Sequence, residues 1–139
     1  MGGLVKFSDY PYTAVKDQYC RVLDNPIVAY INDSARFPQD EAVMAQWVAA
    51  NGTIVIVMDN YCLSSYKGGI VHPKLSCGAR CDNWRHLVLI VGYGEEKGIP
   101  YWILKNSWGT GWGEQGYFKM RRGLNVNRMN QWAITSIIH

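Results

Sequence analysis

The chain has 139 residues, of which 48% are apolar and 13% aromatic, a composition that predicts a folded domain and excludes a disordered chain. Its formal net charge is only +3, and its basic residues form neither a stripe nor a nucleic-acid-reading motif, so we expect no nucleic-acid partner. No run approaches the roughly 20 apolar residues of a membrane span, and residues 1–6 lack the apolar core of a signal peptide, so we expect no membrane partner.

The first half of the chain predicts a turn-rich segment over residues 1–26, a strand over 27–31, a helix over 39–50 and a strand over 53–58. The helix is predicted to begin at about Gln39, with Asp40 and Glu41 in its first turn, where negative charge is favoured. Its apolar face is expected to hold Val43, Trp47 and Ala50, with Met44 and Val48 beside them. The last strand is apolar throughout and rich in β-branched residues, which predicts burial on both of its faces.

The second half predicts mainly strands, over residues 86–93, 101–105, 117–121 and 133–138. Residues 95–98 predict a hairpin turn between the first two of these strands, and residues 59–84 are expected to be mostly loop. One helix and about six short strands with glycine-rich turns predict an α+β fold, namely a small antiparallel barrel or half-barrel with the helix on one side.

The chain has four cysteines: Cys20, Cys62, Cys77 and Cys81. They permit two disulfides in three possible pairings. The spacing of Cys77 and Cys81 is too wide for a CxxC motif and has no partner pair of ligands, so we expect no metal and no cofactor. Triplets that begin at Asn32 and Asn51 match the N-glycosylation pattern and give slight support to a secreted origin.

The chain has three histidines: His72, His86 and His139. A single histidine that opens an apolar strand, as His86 does, is more often structural, but Asn106 ends the next strand. If the hairpin joins the two strands, we expect the Asn106 carboxamide to accept the imidazole Nδ1–H and to leave Nε2 facing a nucleophile. Trp108 and Trp112 would then cover this hydrogen bond from water.

Several motifs occur in one order along the chain: Asp9-Tyr10-Pro11-Tyr12, the strand–helix–strand of residues 27–58, Tyr66-Lys67-Gly68-Gly69-Ile70, the His86-led strand, and Asn106-Ser107-Trp108-Gly109 followed by Gly111-Trp112-Gly113-Glu114. Together they resemble the papain and cathepsin family of cysteine peptidases. The resemblance spans nearly the whole chain, and its last block is long and compositionally unusual.

The resemblance implies peptide-bond hydrolysis by Cys-His-Asn chemistry. His86 would be the general base and acid, Asn106 would orient it, and Trp108 would shield the pair and help form the leaving-group side of the cleft. Trp84 and Val57 would line the pocket for the side chain that precedes the scissile residue. For Val57, ordinary core packing is an equally good interpretation.

The resemblance also predicts the organisation and partners of the chain. Residues 27–139 would form the β-barrel-like lobe, and residues 1–26 would be a remnant that links it to a helical lobe, which we expect to be missing. The expected partners are a protein or peptide substrate, cystatin-like inhibitors, and the missing helical lobe or a second chain. The family further implies a lysosomal or extracellular location.

The sequence departs from the family pattern at several places. No cysteine lies in a C-G-[SA]-C-[WY] setting, so the nucleophile is expected to be absent. Arg85 stands where the family has Asn or Asp, and we expect this cation to disfavour imidazolium. Leu87 replaces a small residue, and its bulk is expected to shift the ring. The late family cysteine is missing, so the resemblance implies that Cys77 is unpaired or joins Cys81. It also implies that Cys20 is orphaned, because the family partner of Cys20 lies in the missing lobe.

Three hypotheses follow for the chain. It is one half of a peptidase whose other half lies upstream or on another chain, and it is inactive alone. Alternatively, it is a non-catalytic binding or inhibitory module that exposes a large apolar face. The third hypothesis is an unstable fragment without a function of its own.

Overall fold

The computed structural model describes residues 3–60, 63–72 and 85–138. The chain divides into two compact units, one comprising Met1–Ala35 with Ser136–His139 and the other Arg36–Thr135. In the first unit, strands β1 (Leu4–Val5) and β2 (Ile27–Ala29) pair antiparallel. The predicted strand over 27–31 is therefore two residues too long. Strand β3 (Asp33–Arg36) was not predicted, because its Asn-Asp-Ser start is typical of a turn.

The second unit contains helix α1 (Glu41–Ala50) and most of the sheet. Its strands are β4 (Ile54–Asp59), β5 (Ile70–Val71), β6 (Arg85–Glu96), β7 (Ile99–Lys105), β8 (Tyr117–Arg121) and the first part of β9 (Ala133–Ile137). They follow the order β9-β4-β6-β7-β8-β5, and only the β5–β8 pair is parallel. The predicted α+β class with one main helix and a mostly antiparallel sheet is confirmed, and the sheet is not closed into a barrel.

Helix α1 begins at Glu41, two residues after the predicted Gln39. Of the predicted apolar residues, Met44, Trp47 and Val48 contact the core. The Asp40 carboxylate caps the helix by accepting the backbone N–H of Ala42 at 2.7 Å. The buried face centres on Glu41, Met44 and Ala45, whereas Val43 is 38% exposed. The prediction of Val43 on the core face is wrong, because the Glu41 side chain turns inward. Across the described ranges, no helix is long and apolar enough to cross a membrane.

Strand β4 separates two faces of the sheet. Ile54, Ile56 and Met58 are almost fully buried in the core, while Val55 is 41% exposed. Burial on both faces is therefore wrong for this strand. The antiparallel pairing with β6 and β9 places a second set of apolar residues on the opposite side, which we call the outer face: Val55, Val57, Leu87, Leu89 and Ile134.

The β6–β7 hairpin is tighter and longer than predicted. Glu96 pairs with Ile99, which leaves Lys97 and Gly98 as a two-residue turn. Their φ angles are +53° and +75°, the left-handed values of a type I′ hairpin turn, where glycine removes the steric penalty. This turn fixes the register that carries His86 and the segment after β7 to the same end of the sheet.

Candidate active site

His86 and Asn106 meet at one end of the β6–β7 hairpin. Leu89 pairs with Lys105, so the first residues of β6 lie across from the segment that follows β7. His86 also pairs with Met58 of β4, and paired residues point to the same face of a sheet. The imidazole therefore stands on the core side of the sheet, at its rim, and is half-buried.

A short hydrogen bond joins the two side chains. His86 Nε2 lies 2.8 Å from Asn106 Oδ1, and the Ser107 backbone N–H donates to the same oxygen at 2.8 Å. Because an N–H group must face an acceptor, the Ser107 contact identifies this carboxamide atom as oxygen. Nε2 must then carry a proton, and Nδ1 is the nitrogen that does not contact Asn106.

The predicted ring orientation is therefore wrong. We expected Nδ1–H to face Asn106 and Nε2 to face a nucleophile, but the two nitrogens have exchanged roles. Which edge of the imidazole meets Asn106 depends on the side-chain torsions that the packed rim allows, and spacing along the sequence carries no information on them. Sequence reasoning also missed the Ser107 N–H, which no residue type could have indicated because every non-proline residue has one.

Burial holds the Asn106 carboxamide in one orientation. Asn106 is only 8% exposed, and its backbone N–H donates to the Gly116 carbonyl at 2.9 Å. Its Nδ2 is buried and has no hydrogen-bond partner among the residues that the structure describes. The side chain is thus oriented through its oxygen, which accepts two hydrogen bonds.

One tryptophan covers the imidazole, and a second packs against the first. The Trp108 ring lies over the imidazole, with centroids 5.0 Å apart and an angle of 31° between the planes. Trp112 packs edge-on against Trp108 at 5.1 Å. The predicted position of Trp108 beside the pair agrees with this geometry. Because Trp108 excludes water from one side, the His86–Asn106 hydrogen bond has less competition from solvent.

The remaining predicted site residues lie on the outer face or beyond the described ranges. Val57 is half-buried on the outer face, opposite Leu87, and it is not part of the buried core. Leu87 is 62% exposed and points away from the face that holds His86. The His86–Asn106 bond is 2.8 Å long, and the expectation that Leu87 shifts the ring stays a prediction. Trp84 and the Arg85 side chain fall outside the described residues.

An apolar pocket borders the pair on the outer face. Its volume is about 400 Å³, and it is lined by Val55, Leu87, Val88, Leu89, Lys105, Asn106 and Ser107. Sequence reasoning did not place a pocket here, because β4 was expected to be buried on this side. The pocket thus extends from the outer face to Asn106.

The cysteines do not complete the site within the part of the chain that the structure describes. Cys20 is an exposed free thiol in the first unit. Cys62, Cys77 and Cys81 lie outside the described residues, as do the expectations about their pairing. The geometry thus provides an oriented imidazole whose Nδ1 does not contact Asn106, and in a neutral ring this nitrogen can accept a proton from a thiol or from water.

The chain is similar to known proteins over nearly its whole length. A family model described as papain family cysteine protease matches residues 1–137. Cathepsin F of Mus musculus is 36% identical, over 100% of this chain and 30% of that protein. Cysteine proteinase 1 of Dictyostelium discoideum is 38% identical, over 99% of this chain and 40% of that protein. The chain therefore spans less than half the length of these curated relatives.

Solved structures show the same fold. Digestive procathepsin L 3 from the larval midgut of Tenebrio molitor superimposes with a TM-score of 0.85 and 34% identity, over 99% of this chain and 45% of that one. The bromelain protease of Ananas comosus, solved in complex with the E64 inhibitor, gives a TM-score of 0.83 and 32% identity, over 99% and 64% of the two chains.

Proposed function

Because the chain belongs to the papain family of cysteine proteases, we propose that it supplies the histidine and the asparagine of a Cys-His-Asn peptidase. The observation that carries the proposal is the 2.8 Å bond between His86 Nε2 and Asn106 Oδ1. It holds the ring in one tautomer and leaves Nδ1 as the proton acceptor. A neutral carboxamide orients the ring without adding a charge to the site.

In the proposed reaction, His86 moves protons through Nδ1. A cysteine thiol transfers its proton to Nδ1, and the thiolate attacks the substrate carbonyl carbon. The imidazolium then returns this proton to the leaving amine, which gives a thioester and neutral imidazole. A water molecule transfers a proton to Nδ1 as it attacks the thioester, and the proton finally restores the thiol. Throughout, Asn106 Oδ1 accepts the Nε2–H, so the ring keeps its direction.

The thiol itself is proposed to come from a segment outside these 139 residues, in the same coding frame or on another chain. The relatives support this, since the chain covers only 30% of mouse cathepsin F and 40% of the Dictyostelium proteinase. None of the four cysteines lies in the sequence setting expected for a nucleophile. The chain alone is therefore proposed to be inactive.

The family also guides the finer proposals. The substrate is a protein or peptide, with Val57, Trp84 and Trp108 in contact with it. Cystatin-like inhibitors are proposed partners, and a propeptide is another, because a solved neighbour is a procathepsin. A lysosomal or extracellular location accords with these relatives.

The test is turnover by the complete coding frame. A fluorogenic peptide should be cleaved, and His86→Ala should lower kcat/KM by about 10²–10⁴-fold because the proton acceptor is lost. Asn106→Ala should lower it by about 10²-fold, because the ring is then no longer held in direction. His72→Ala is the matched control, since its Nδ1 contacts Arg121 instead of the site, and it should leave turnover unchanged. Full activity in His86→Ala would refute the proposal.

A non-catalytic binding module is the second candidate, and the outer face favours it. Leu87 is 62% exposed, and Val55 and Ile134 are each 41% exposed. Apolar side chains that adjoin on one face are typical of a surface that binds another protein. Under this alternative, the complete coding frame would bind peptide or protein without cleaving it, and it would not be labelled by E64, the inhibitor in the bromelain structure.

A further inference from the structure

The loop that carries Asn106 and both tryptophans has little rigidity of its own. Residues 106–116 join β7 to β8 and contain four glycines at positions 109, 111, 113 and 116. Three of them, Gly109, Gly113 and Gly116, have positive φ angles between +57° and +90°. Glycine lowers the barriers to other conformations, and the loop is held by its own backbone hydrogen bonds, such as Gly116 N–H to the Trp112 carbonyl at 2.8 Å, together with contacts to the rest of the fold.

Trp112 receives much of this support. Its indole Nε1–H donates to the Leu63 carbonyl at 3.0 Å. Its ring packs between Tyr66 and Phe118, with centroids 5.6 Å away in both cases. Trp112 also packs against Trp108, which covers His86. A displacement of Trp112 would therefore be transmitted to the ring that covers the imidazole.

Glu114, two residues after Trp112, forms hydrogen bonds that support this packing. Its Oε1 accepts the Gly69 backbone N–H at 3.0 Å and lies 3.0 Å from the Tyr66 hydroxyl. The Gly69 carbonyl oxygen lies 2.7 Å from the same hydroxyl, so the two acceptors share its one proton. The Tyr66 hydroxyl in turn accepts the Lys119 N–H at 3.2 Å. Tyr66 is only 8% exposed. We call Glu114 and Tyr66 the carboxylate latch.

The latch also fixes the backbone next to Trp112. A Cβ built on Gly113 would lie 3.1 Å from Tyr66 Cδ1 and 2.7 Å from the Tyr117 carbonyl oxygen. The tyrosine ring thus packs directly on the loop, and a side chain at position 113 would push it away. Burial raises the pKa of Tyr66 to about 12, so its hydroxyl keeps its proton at physiological pH and remains a donor.

From these contacts we infer that Glu114 and Tyr66 are positioning residues for the proposed active site. Their hydrogen bonds hold Trp112, and through it Trp108, over the His86–Asn106 pair. The inference deepens the proposed function and depends on it for its catalytic meaning, but the geometry that it predicts is measurable without turnover. The cation nearest to this carboxylate does not compete for Oε1, because Lys119 Nζ lies 4.0 Å from the other oxygen, Oε2.

The test reads the imidazole directly, by NMR of the chain. The stacked indole of Trp108 displaces the His86 ring-proton signals, and substitutions at the other two histidines assign them. Glu114→Ala should remove most of this displacement, because Trp108 loses its support. Glu114→Gln keeps an acceptor oxygen for Tyr66 and Gly69, so it should restore the displacement. Tyr66→Phe removes only a hydroxyl and should reduce the displacement as Glu114→Ala does. If Glu114→Ala fails to fold, Tyr66→Phe provides the test in its place.

Glu96→Ala is the matched control. Glu96 also faces Lys119, with Oε2 3.5 Å from Nζ, but its carboxylate does not bond to the Tyr66 hydroxyl, so its removal should leave the His86 signals unchanged. His86 signals at the wild-type positions in folded Tyr66→Phe or Glu114→Ala would overturn the inference. It would also be overturned if Glu96→Ala or Glu114→Gln removed as much of the displacement as Glu114→Ala does. Absence of turnover in the complete coding frame would instead defeat the proposed function and leave this measurement intact.

Discussion

Two polar side chains, Glu41 and Asn106, are equally buried at 8% exposure but are satisfied to different degrees. The Glu41 carboxylate accepts three hydrogen bonds, from Trp102 Nε1 at 2.7 Å and from the backbone N–H groups of Gly123 and Asn125 at 2.8 and 2.7 Å. Asn106 uses its oxygen twice, and its Nδ2 has no partner in the described part of the chain.

The difference separates a structural site from a candidate chemical one. Glu41 ties helix α1 to β7 and to the segment after β8, and its oxygens are engaged within the fold. Asn106 instead bonds to a half-buried imidazole whose second nitrogen does not contact it. A fully satisfied buried group stabilises one conformation, whereas a partly satisfied group beside a titratable ring keeps capacity for chemistry. Each of the following predictions tests this distinction.

The largest effect is expected for Glu41→Ala. The change leaves three donors without their acceptor in and around the core, at about 1–3 kcal/mol each. We therefore expect the free energy of unfolding to fall by about 3 kcal/mol or more, measured by urea denaturation. Glu95→Ala removes an exposed carboxylate and should stay within about 0.5 kcal/mol. Equal stability of the two variants would contradict the structural role of Glu41.

The next effect is a pH dependence at Tyr66, a third buried and engaged polar group. Burial raises its pKa above the ordinary value of 10.0 to about 12, so the neutral phenol is favoured in the folded chain. The contribution of Tyr66 to the free energy of unfolding is fully present below pH 10. It is lost as the pH rises toward 12, by about 1.4 kcal/mol for each pH unit between the two pKa values. Alkaline denaturation of Tyr66→Phe should lack this component. Identical pH curves for the two proteins would contradict the assignment.

Asn106→Ala should cost less stability than Glu41→Ala, although both residues are equally buried. It removes the acceptor for the Ser107 N–H but also removes the unpaired Nδ2, so we expect a loss of about 1 kcal/mol. The His86 ring should no longer be held in the Nε2–H tautomer, which ¹⁵N chemical shifts of the imidazole would report. A loss as large as that of Glu41→Ala would mean that Asn106 is mainly structural.

The smallest effect is expected for Leu87→Ala. Leu87 is 62% exposed on the outer face, so its truncation should change the free energy of unfolding by no more than about 0.5 kcal/mol. The His86 ring signals should also stay in place, because the two side chains point to opposite faces of β6. The buried neighbour Val88→Ala is the comparison, and it should be clearly more destabilising. A shifted imidazole in Leu87→Ala would show that the faces are coupled.

The fold and half of the site could be predicted because they depend on local signals. The strand over 117–121 was predicted with the observed bounds, and helix α1 was predicted with the observed end at Ala50 and a start two residues too early. His86 and Asn106 are only 20 residues apart and are joined by one hairpin, so strand pattern and turn residues suffice to bring them together. Strand ends were harder to predict, since pairing with a neighbouring strand decides them.

By itself, the sequence determined the family, the strand–helix–strand order and the meeting of His86 with Asn106, because hydrophobic period and turn chemistry act over short stretches of chain. Tertiary structure alone decided which imidazole nitrogen faces Asn106, which face of β4 is buried, and what Glu41 and Glu114 hold. The partners of Glu41 are 61 to 84 residues away, and those of Glu114 are 45 and 48 residues away. Contacts across such distances depend on the packing of the whole fold, which no local pattern encodes.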